Sequence, residues 1–126
     1  MGATIMLVDN ESINNMIHKK VIQMHRPNVE ILSFTNPEDA LWHLVSHANP
    51  VPQVIFLDIN MPEMSAWDFL DALPEELLSS IYVYICTGSE SLADVERSKS
   101  YPLVKGFVLK PLQPHIAQEI LNMILI

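Results

Sequence analysis

Short apolar runs alternate with longer segments of helical period along this chain. The runs fall at residues 5–8, 29–32, 54–57, 81–86 and 107–109 and are rich in Val and Ile. Because their apolar residues are mostly continuous rather than alternating, these runs are typical of strands buried on both faces of a parallel sheet. The pattern therefore predicts an α/β fold: a doubly wound, five-stranded parallel sheet built from five βα units with right-handed crossovers.

The segments between the runs predict five helices. The first can be capped by Ser12, and the second begins with Asn36 as its cap and Pro37 at its first helical position. A third helix is expected over residues 66–73 and a fourth from about Glu90. Three of these helices have an expected apolar face. In the first helix it consists of Ile13, Met16, Ile17, Val21 and Met24, and in the second of Ala40, Leu41, Leu44 and Val45. In the fifth it consists of Ile116, Ile120, Met123 and Ile124.

Composition narrows the classes of function. The chain has 126 residues, of which 49% are hydrophobic, and this suits one compact domain. A net charge of −8 with only seven Lys and Arg residues argues against direct nucleic-acid binding. No apolar stretch approaches the roughly 20 residues that span a bilayer, so we expect a cytoplasmic protein without membrane contact. The lone cysteine, Cys86, is expected to pack inside a strand.

Polar residues, in one case followed by a glycine, come directly after four of the predicted strands. They are Asp9, Asp58, the pair Thr87 and Gly88, and Lys110. Because the carboxyl ends of parallel strands meet at one edge of a sheet, these groups are expected to converge there. Each also has a structural interpretation on its own, since acids cap helices, Thr-Gly forms turns and a lysine can be a solvated surface charge.

In this order, the motifs resemble those of the receiver domain of two-component response regulators. The segments that carry the resemblance are LVD at 7–9, LDINMP at 57–62, TG at 87–88 and VKGFVLKP at 104–111. The resemblance covers essentially the whole chain and implies one receiver domain over residues 1–126. It also implies a flavodoxin-like sheet in the strand order 2-1-3-4-5.

The resemblance implies a phosphorylation site at Asp58. Asp58 would accept a phosphoryl group from a sensor histidine kinase or a phosphotransfer protein, giving an aspartyl phosphate. Lys110 and Thr87 would be the other catalytic residues, with Gly88 and Asn60 binding the phosphoryl group. Apart from such self-catalysed transfer and dephosphorylation, the domain would not be an enzyme.

A magnesium ion is the cofactor that the resemblance implies. Its expected ligands are Asp9, Asn10, Asp58 and the backbone carbonyl of Asn60, all of them oxygen donors of the kind Mg²⁺ prefers. The resemblance further implies a cis peptide bond between Lys110 and Pro111.

Signal output would run through a switch pair, Thr87 and Phe107. By the same resemblance, phosphorylation would draw the Thr87 hydroxyl towards the phosphoryl group and let the Phe107 ring turn inward. The surface of the fourth helix, fifth strand and fifth helix would then be remodelled for a downstream protein partner. A homodimer through that same surface is a second option.

Two positions depart from the family pattern. Asn10 stands where the family usually carries a second acid after strand one, so we predict weaker Mg²⁺ binding with phosphorylation retained. Glu11 either substitutes as a ligand or, as we favour, starts helix one with its negative charge. Ala66 stands where glycine is usual, which implies either a changed turn or roughly 1 kcal/mol of backbone strain.

Three functions compete at this point. The first is the phosphorylatable receiver, and the second is a phosphorylation-independent pseudo-receiver that only binds a partner, because Asn10 lacks the metal-binding charge. The third is a small aspartyl-phosphate phosphatase, ranked last because such enzymes carry a second aspartate where this chain has Asn60. His18, His25 and His115 are too scattered to indicate a phosphotransfer histidine.

Overall fold

Five strands alternate with five helices, as the hydrophobic pattern predicts. The computed structural model describes residues 3–89 and 91–125. The strands are β1 (Thr4–Val8), β2 (Glu30–Phe34), β3 (Val54–Asp58), β4 (Tyr82–Thr87) and β5 (Val104–Leu109). The helices are α1 (Ser12–His25), α2 (Pro37–Val45), α3 (Ala66–Asp71), α4 (Leu92–Ser98) and α5 (Pro114–Ile124), with a 3₁₀ turn at Glu75–Leu77.

The strands form one parallel sheet in the order β2-β1-β3-β4-β5, which confirms the doubly wound topology. Every residue of β1 and β3 is buried, because helices cover both faces of the sheet. Successive strand residues therefore pack into two separate cores. One core joins Met6 and Leu57 to the helices α2 and α3, and the other joins Leu7 and Phe56 to α1 and α5.

The sequence pattern located the central strands better than the edge strands. β5 begins at Val104 rather than at residue 107, because Lys105 and Gly106 interrupt the apolar pattern on a strand with only one neighbour. Gly106 lies against the ring of Tyr84, where an added Cβ would come within 3.3 Å of ring carbon Cε1. β2 is likewise an edge strand and contains the exposed residues Glu30 and Ser33.

The predicted buried face of α1 is wrong. Of its five apolar residues, Ile13, Met16 and Met24 are 66%, 58% and 67% exposed, Ile17 is also exposed and Val21 is half-buried. The residues of α1 that are buried are instead Asn15, His18 and Ile22. These three also share one face of a helix, at spacings of three and four residues. The most apolar face of α1 is therefore the exposed one.

The polar inner face of α1 has a physical cause in the backbone that it covers. The Asn15 side-chain amide donates to the carbonyl oxygens of Asp9 at 3.2 Å and Phe34 at 3.1 Å. His18 accepts a hydrogen bond from the backbone N–H of Leu112 at 3.2 Å. Buried backbone groups left unpaired cost free energy, so polar side chains are favoured at these positions over apolar ones.

The starts of the helices agree in part with their expected caps. In α2, Asn36 accepts from the backbone N–H of Glu38 at 2.8 Å with Pro37 next, as predicted. The expected cap of α1 is wrong, because Ser12 is already helical and Glu11 occupies the cap position without a side-chain bond. Glu90 lies outside the described residues, and α4 begins after Ser91, whose hydroxyl caps it.

The apolar faces of α2 and α5 are correct only in part. Ala40, Leu44 and Ile120 are buried as expected, whereas Val45 and Met123 are exposed. α3 ends at Asp71, two residues before its expected end. Among the described residues, no helix is long and apolar enough to cross a membrane.

The corrected face of α1 gives a testable difference between two isoleucines on the same helix. Ile22 is fully buried, so Ile22→Ala is expected to lower the free energy of unfolding by about 2–5 kcal/mol. Ile13→Ala removes the same atoms from a side chain that is 66% exposed and should cost less than about 0.5 kcal/mol. Urea denaturation of both variants measures the difference. Equal losses would contradict the assigned orientation of α1.

Candidate functional site

Three charged side chains from different strands meet at the carboxyl edge of the sheet. Asp58 is the last residue of β3, Asp9 follows β1 and Lys110 follows β5. The Lys110 ammonium lies 3.2 Å from Asp58 Oδ1 and 3.3 Å from Asp9 Oδ2. The convergence expected from the sequence is therefore confirmed for these three residues, and the cis peptide bond between Lys110 and Pro111 is present.

Burial shapes the electrostatics of this cluster. Asp9 and Asp58 are each only 3% exposed. Burial, and after it the charge of Asp9, raises the pKa of Asp58 above its ordinary value, against the lowering effects of the Asn60 N–H and Lys110. Burial also opposes the charge of Lys110, but the two carboxylates outweigh it and raise the pKa of this lysine. The cluster therefore has two acids, one firmly charged cation and an excess of negative charge.

Asp9 is fixed by its surroundings. Its Oδ1 accepts from the backbone N–H of Glu11 at 2.9 Å and from the Asn14 side-chain amide at 3.4 Å, while its backbone carbonyl accepts from Asn15. Sequence reasoning missed Asn14, Asn15 and His18 as supporting residues. The available signal was a set of polar residues in the first two turns of the helix that follows Asp9.

Asp58 is oriented by two donors that meet at one oxygen. The backbone N–H of Asn60 lies 3.2 Å from Asp58 Oδ1, and Lys110 donates to that same atom. Within the described residues, these are the two hydrogen bonds that the Asp58 carboxylate accepts. Its second oxygen, Oδ2, is thus left for another group.

Thr87 and Gly88 lie at the same edge but are not engaged with Asp58. The Thr87 hydroxyl donates to the carbonyl of Ser89 at 2.8 Å and accepts from the Ser89 N–H at 3.1 Å. Gly88 is exposed, and a Cβ added to it would meet nothing within 4 Å. Phe107 is half-buried and packs against the core on the α2 and α3 side of the sheet.

The residues after β1 and β3 fit a divalent cation through oxygen donors. Asp9 and Asp58 supply two buried carboxylates whose mutual repulsion a cation would relieve. Within residues 3–89 and 91–125, no group of three or more Asp, Glu, His and Cys side chains is arranged to hold a metal. Asn10 and Asn60 are exposed, so oxygens other than carboxylates would have to complete the coordination, as Mg²⁺ accepts.

Ala66 introduces no backbone strain. It is the first residue of α3, after Ser65, whose hydroxyl accepts from the Asp68 N–H at 3.0 Å. Among the described residues, the only non-glycine with a positive φ is His47, so Ala66 keeps ordinary backbone angles. Its methyl group is fully buried in the core. Of the two outcomes expected for Ala66, strain is therefore wrong, and a changed turn stays a prediction.

The fold and this cluster together define an open parallel α/β domain with an acidic site at the carboxyl edge of its sheet. The chain belongs to the response regulator receiver domain family, whose sequence profile matches residues 5–123. Receiver domains of two-component systems are phosphoacceptor signalling domains and generally not enzymes. They typically bind Mg²⁺ and interact with histidine kinases or phosphotransfer proteins and with downstream partners.

Solved structures share the fold over nearly the whole chain. A two-component response regulator from Cytophaga hutchinsonii has a TM-score of 0.87 at 26% identity, covering 98% of this chain and 96% of that chain. One from Legionella pneumophila has a TM-score of 0.85 at 21% identity, covering 98% of both. The chemotaxis protein CheY4 of Vibrio cholerae has a TM-score of 0.78 at 23% identity, covering 98% and 99%. Among curated protein sequences, none matches the chain.

The charge cluster predicts opposite shifts in the pKa of Asp58 when its two neighbours are changed. The positive charge of Lys110 lowers the pKa of Asp58, so Lys110→Met should raise that pKa further. The negative charge of Asp9 raises the pKa of Asp58, so Asp9→Asn should lower it. A ¹³C NMR titration of the Asp58 carboxyl carbon measures both shifts. Lys99→Met, at an exposed lysine paired with Glu96, serves as the control and should leave the titration unchanged. Shifts of the same sign in the two variants would refute the assigned electrostatics.

Proposed function

We propose that Asp58 accepts a phosphoryl group from the phosphohistidine of a sensor histidine kinase or phosphotransfer protein. The observation that supports this most is the buried Asp58 carboxylate at the end of β3, with the Lys110 ammonium 3.2 Å from its Oδ1. A carboxylate attacks an anionic phosphoryl group poorly unless positive charge is held nearby. Lys110 supplies that charge from a chain position anchored to the sheet.

The proposed transfer uses the two oxygens of Asp58 differently. Oδ1 is held by the Asn60 N–H and Lys110, so Oδ2 is the nucleophile. The bond between Oδ2 and phosphorus forms as the bond between phosphorus and the donor imidazole nitrogen breaks. Lys110 then moves its hydrogen bonds onto a phosphoryl oxygen, and the exposed Gly88 amide donates to another.

A magnesium ion would be held by Asp9, Asp58, the carbonyl of Asn60 and the amide oxygen of Asn10. When bound, it would supply positive charge that lowers the repulsion between the carboxylates and the incoming phosphoryl group. Asp9 is oriented for this role by the Glu11 N–H and Asn14.

The proposed switch starts from the hydrogen bonds of Thr87. To reach a phosphoryl group on Asp58, its hydroxyl must leave the Ser89 carbonyl that it now contacts at 2.8 Å. The half-buried Phe107 ring then turns inward, and the surface of α4, β5 and α5 changes. A downstream protein or a second copy of the chain would bind this surface, on which Leu92 and Leu109 are 86% and 55% exposed.

Phosphorylation at Asp58 is directly testable. Incubation with acetyl phosphate and Mg²⁺ should add the mass of one phosphoryl group, measured by intact-mass spectrometry. Asp58→Ala should abolish the addition, since it removes the nucleophile. Asp68→Ala, at an exposed acid on α3, serves as a matched control and should phosphorylate normally. Unmodified protein under these conditions, with a phosphohistidine donor also failing, would end the proposal.

The alternative function is a pseudo-receiver that binds a partner without phosphorylation. Asn10 favours the pseudo-receiver, because an asparagine side chain brings no charge to a metal ion. The mass experiment separates the two functions, since a pseudo-receiver stays unmodified.

The role of Asn10 can be tested by adding the acid that the family usually carries. A charge pair at about 4 Å is worth on the order of 4 kcal/mol at an effective dielectric near 20, and repulsion among the acids offsets much of it. Asn10→Asp should therefore tighten Mg²⁺ binding by roughly 5- to 50-fold in isothermal titration calorimetry. Asn28→Asp adds the same charge at an exposed position before β2 and should leave the affinity unchanged. An unchanged titration for Asn10→Asp would refute Asn10 as a ligand.

A further inference from the structure

His18 is a buried histidine to which the proposed phosphoryl transfer assigns no role. It lies on the inner face of α1 and is only 2% exposed. Its Nε2 accepts a hydrogen bond from the backbone N–H of Leu112 at 3.2 Å, a contact that joins residues 94 positions apart. The Leu112 side chain is also 2% exposed, so this bond lies in the interior.

The hydrogen bond to His18 matters because Leu112 lies two residues after Lys110 in the chain. Pro111 has no N–H, so the N–H of Leu112 is the first backbone donor after Lys110. On the other side, the N–H of Lys110 itself donates to the carbonyl of Thr87 at 2.8 Å. The backbone that carries Lys110 is therefore held by β4 at one end and by His18 at the other.

The chemistry of the ring suits this role. To accept from an N–H, Nε2 must present a lone pair, so the proton of the neutral ring is on Nδ1. Burial, partly opposed by Asp9, keeps the pKa of His18 below its ordinary value and so favours the neutral ring. An apolar side chain at this position would fill space but leave the buried N–H of Leu112 without an acceptor.

We propose that His18 is a positioning residue for phosphoryl transfer to Asp58. By holding the N–H of Leu112, it fixes the chain just after Lys110 and keeps the lysine ammonium between Asp9 and Asp58. This inference rests on the proposed function, because the consequence of the positioning is a faster transfer to Asp58. His18 itself does not touch the reacting atoms.

The first test compares two substitutions of His18. His18→Leu keeps the volume but removes the acceptor, and the rate of phosphorylation by acetyl phosphate should fall by roughly 10- to 100-fold, as expected for a displaced catalytic group. His18→Gln retains an oxygen acceptor at similar reach and should restore the rate to within roughly 3-fold of wild type. All variants are assayed at a temperature where thermal unfolding shows them folded. A wild-type rate for His18→Leu would overturn the proposal.

A double-mutant cycle separates positioning from a general loss of structure. In a Lys110→Met background there is no ammonium to position, so adding His18→Leu should cause no further loss of rate. A structural defect would lower the rate in both backgrounds by the same factor. Equal losses in the two backgrounds would therefore overturn the assignment.

A third measurement needs neither phosphorylation nor a folded His18→Leu variant. Replacing Leu112 by its α-hydroxy acid changes the N–H to an ester oxygen and leaves every side chain in place. The ¹⁵N signal of the Lys110 ammonium, expected to exchange slowly in the wild type because of its two carboxylate partners, should then be lost to fast exchange. If the wild type takes up no phosphoryl group, the proposed function fails, and this signal alone decides the role of His18. A slowly exchanging Lys110 ammonium in the ester protein would overturn the assignment of His18 as a positioning residue.

Discussion

The ion pairs of Lys110 with Asp58 and Asp9 are the interaction on which the rest of this molecule depends. Two carboxylates buried next to each other repel: burial and the charge of Asp9 raise the pKa of Asp58, and the charge of Lys110 opposes that rise. The cation comes from the far end of the chain, so the fold must bring the ends of β1, β3 and β5 to one edge. A parallel doubly wound sheet does this because all its strands point the same way.

Helix α1 meets two demands that conflict with its apolar pattern. It covers one face of the sheet, which favours apolar residues such as Ile22, but it also lies over backbone groups at the strand ends that need hydrogen-bond partners. Asn15 and His18 satisfy the carbonyls of Asp9 and Phe34 and the N–H of Leu112. Because a buried unpaired backbone group is costly, this requirement decides which face of the helix turns inward. The more apolar face, with Ile13 and Met24, is left in contact with water.

The two departures from the family pattern affect the site in different ways. Ala66 fits its place without strain, since it begins a helix that Ser65 caps, and its methyl group adds to the core. Asn10 is exposed and follows Asp9 directly, and the contacts of Lys110 with Asp9 and Asp58 are in place beside it; in the proposed function its neutral amide brings no charge to the cation.

The sequence by itself determined the fold class, the central strands and the edge at which the charged residues meet. Those follow from continuous apolar runs and from the rule that parallel strands end together. The order of the strands came from the family resemblance, because periodicity says nothing about which strands are neighbours. Only the tertiary structure decided the orientation of α1, the supporting roles of Asn14, Asn15 and His18, and the engagement of the Thr87 hydroxyl with Ser89. The bonds of Asn15 to Phe34 and of His18 to Leu112 join groups that are distant in sequence, and no pattern of hydrophobicity records any of these hydrogen bonds.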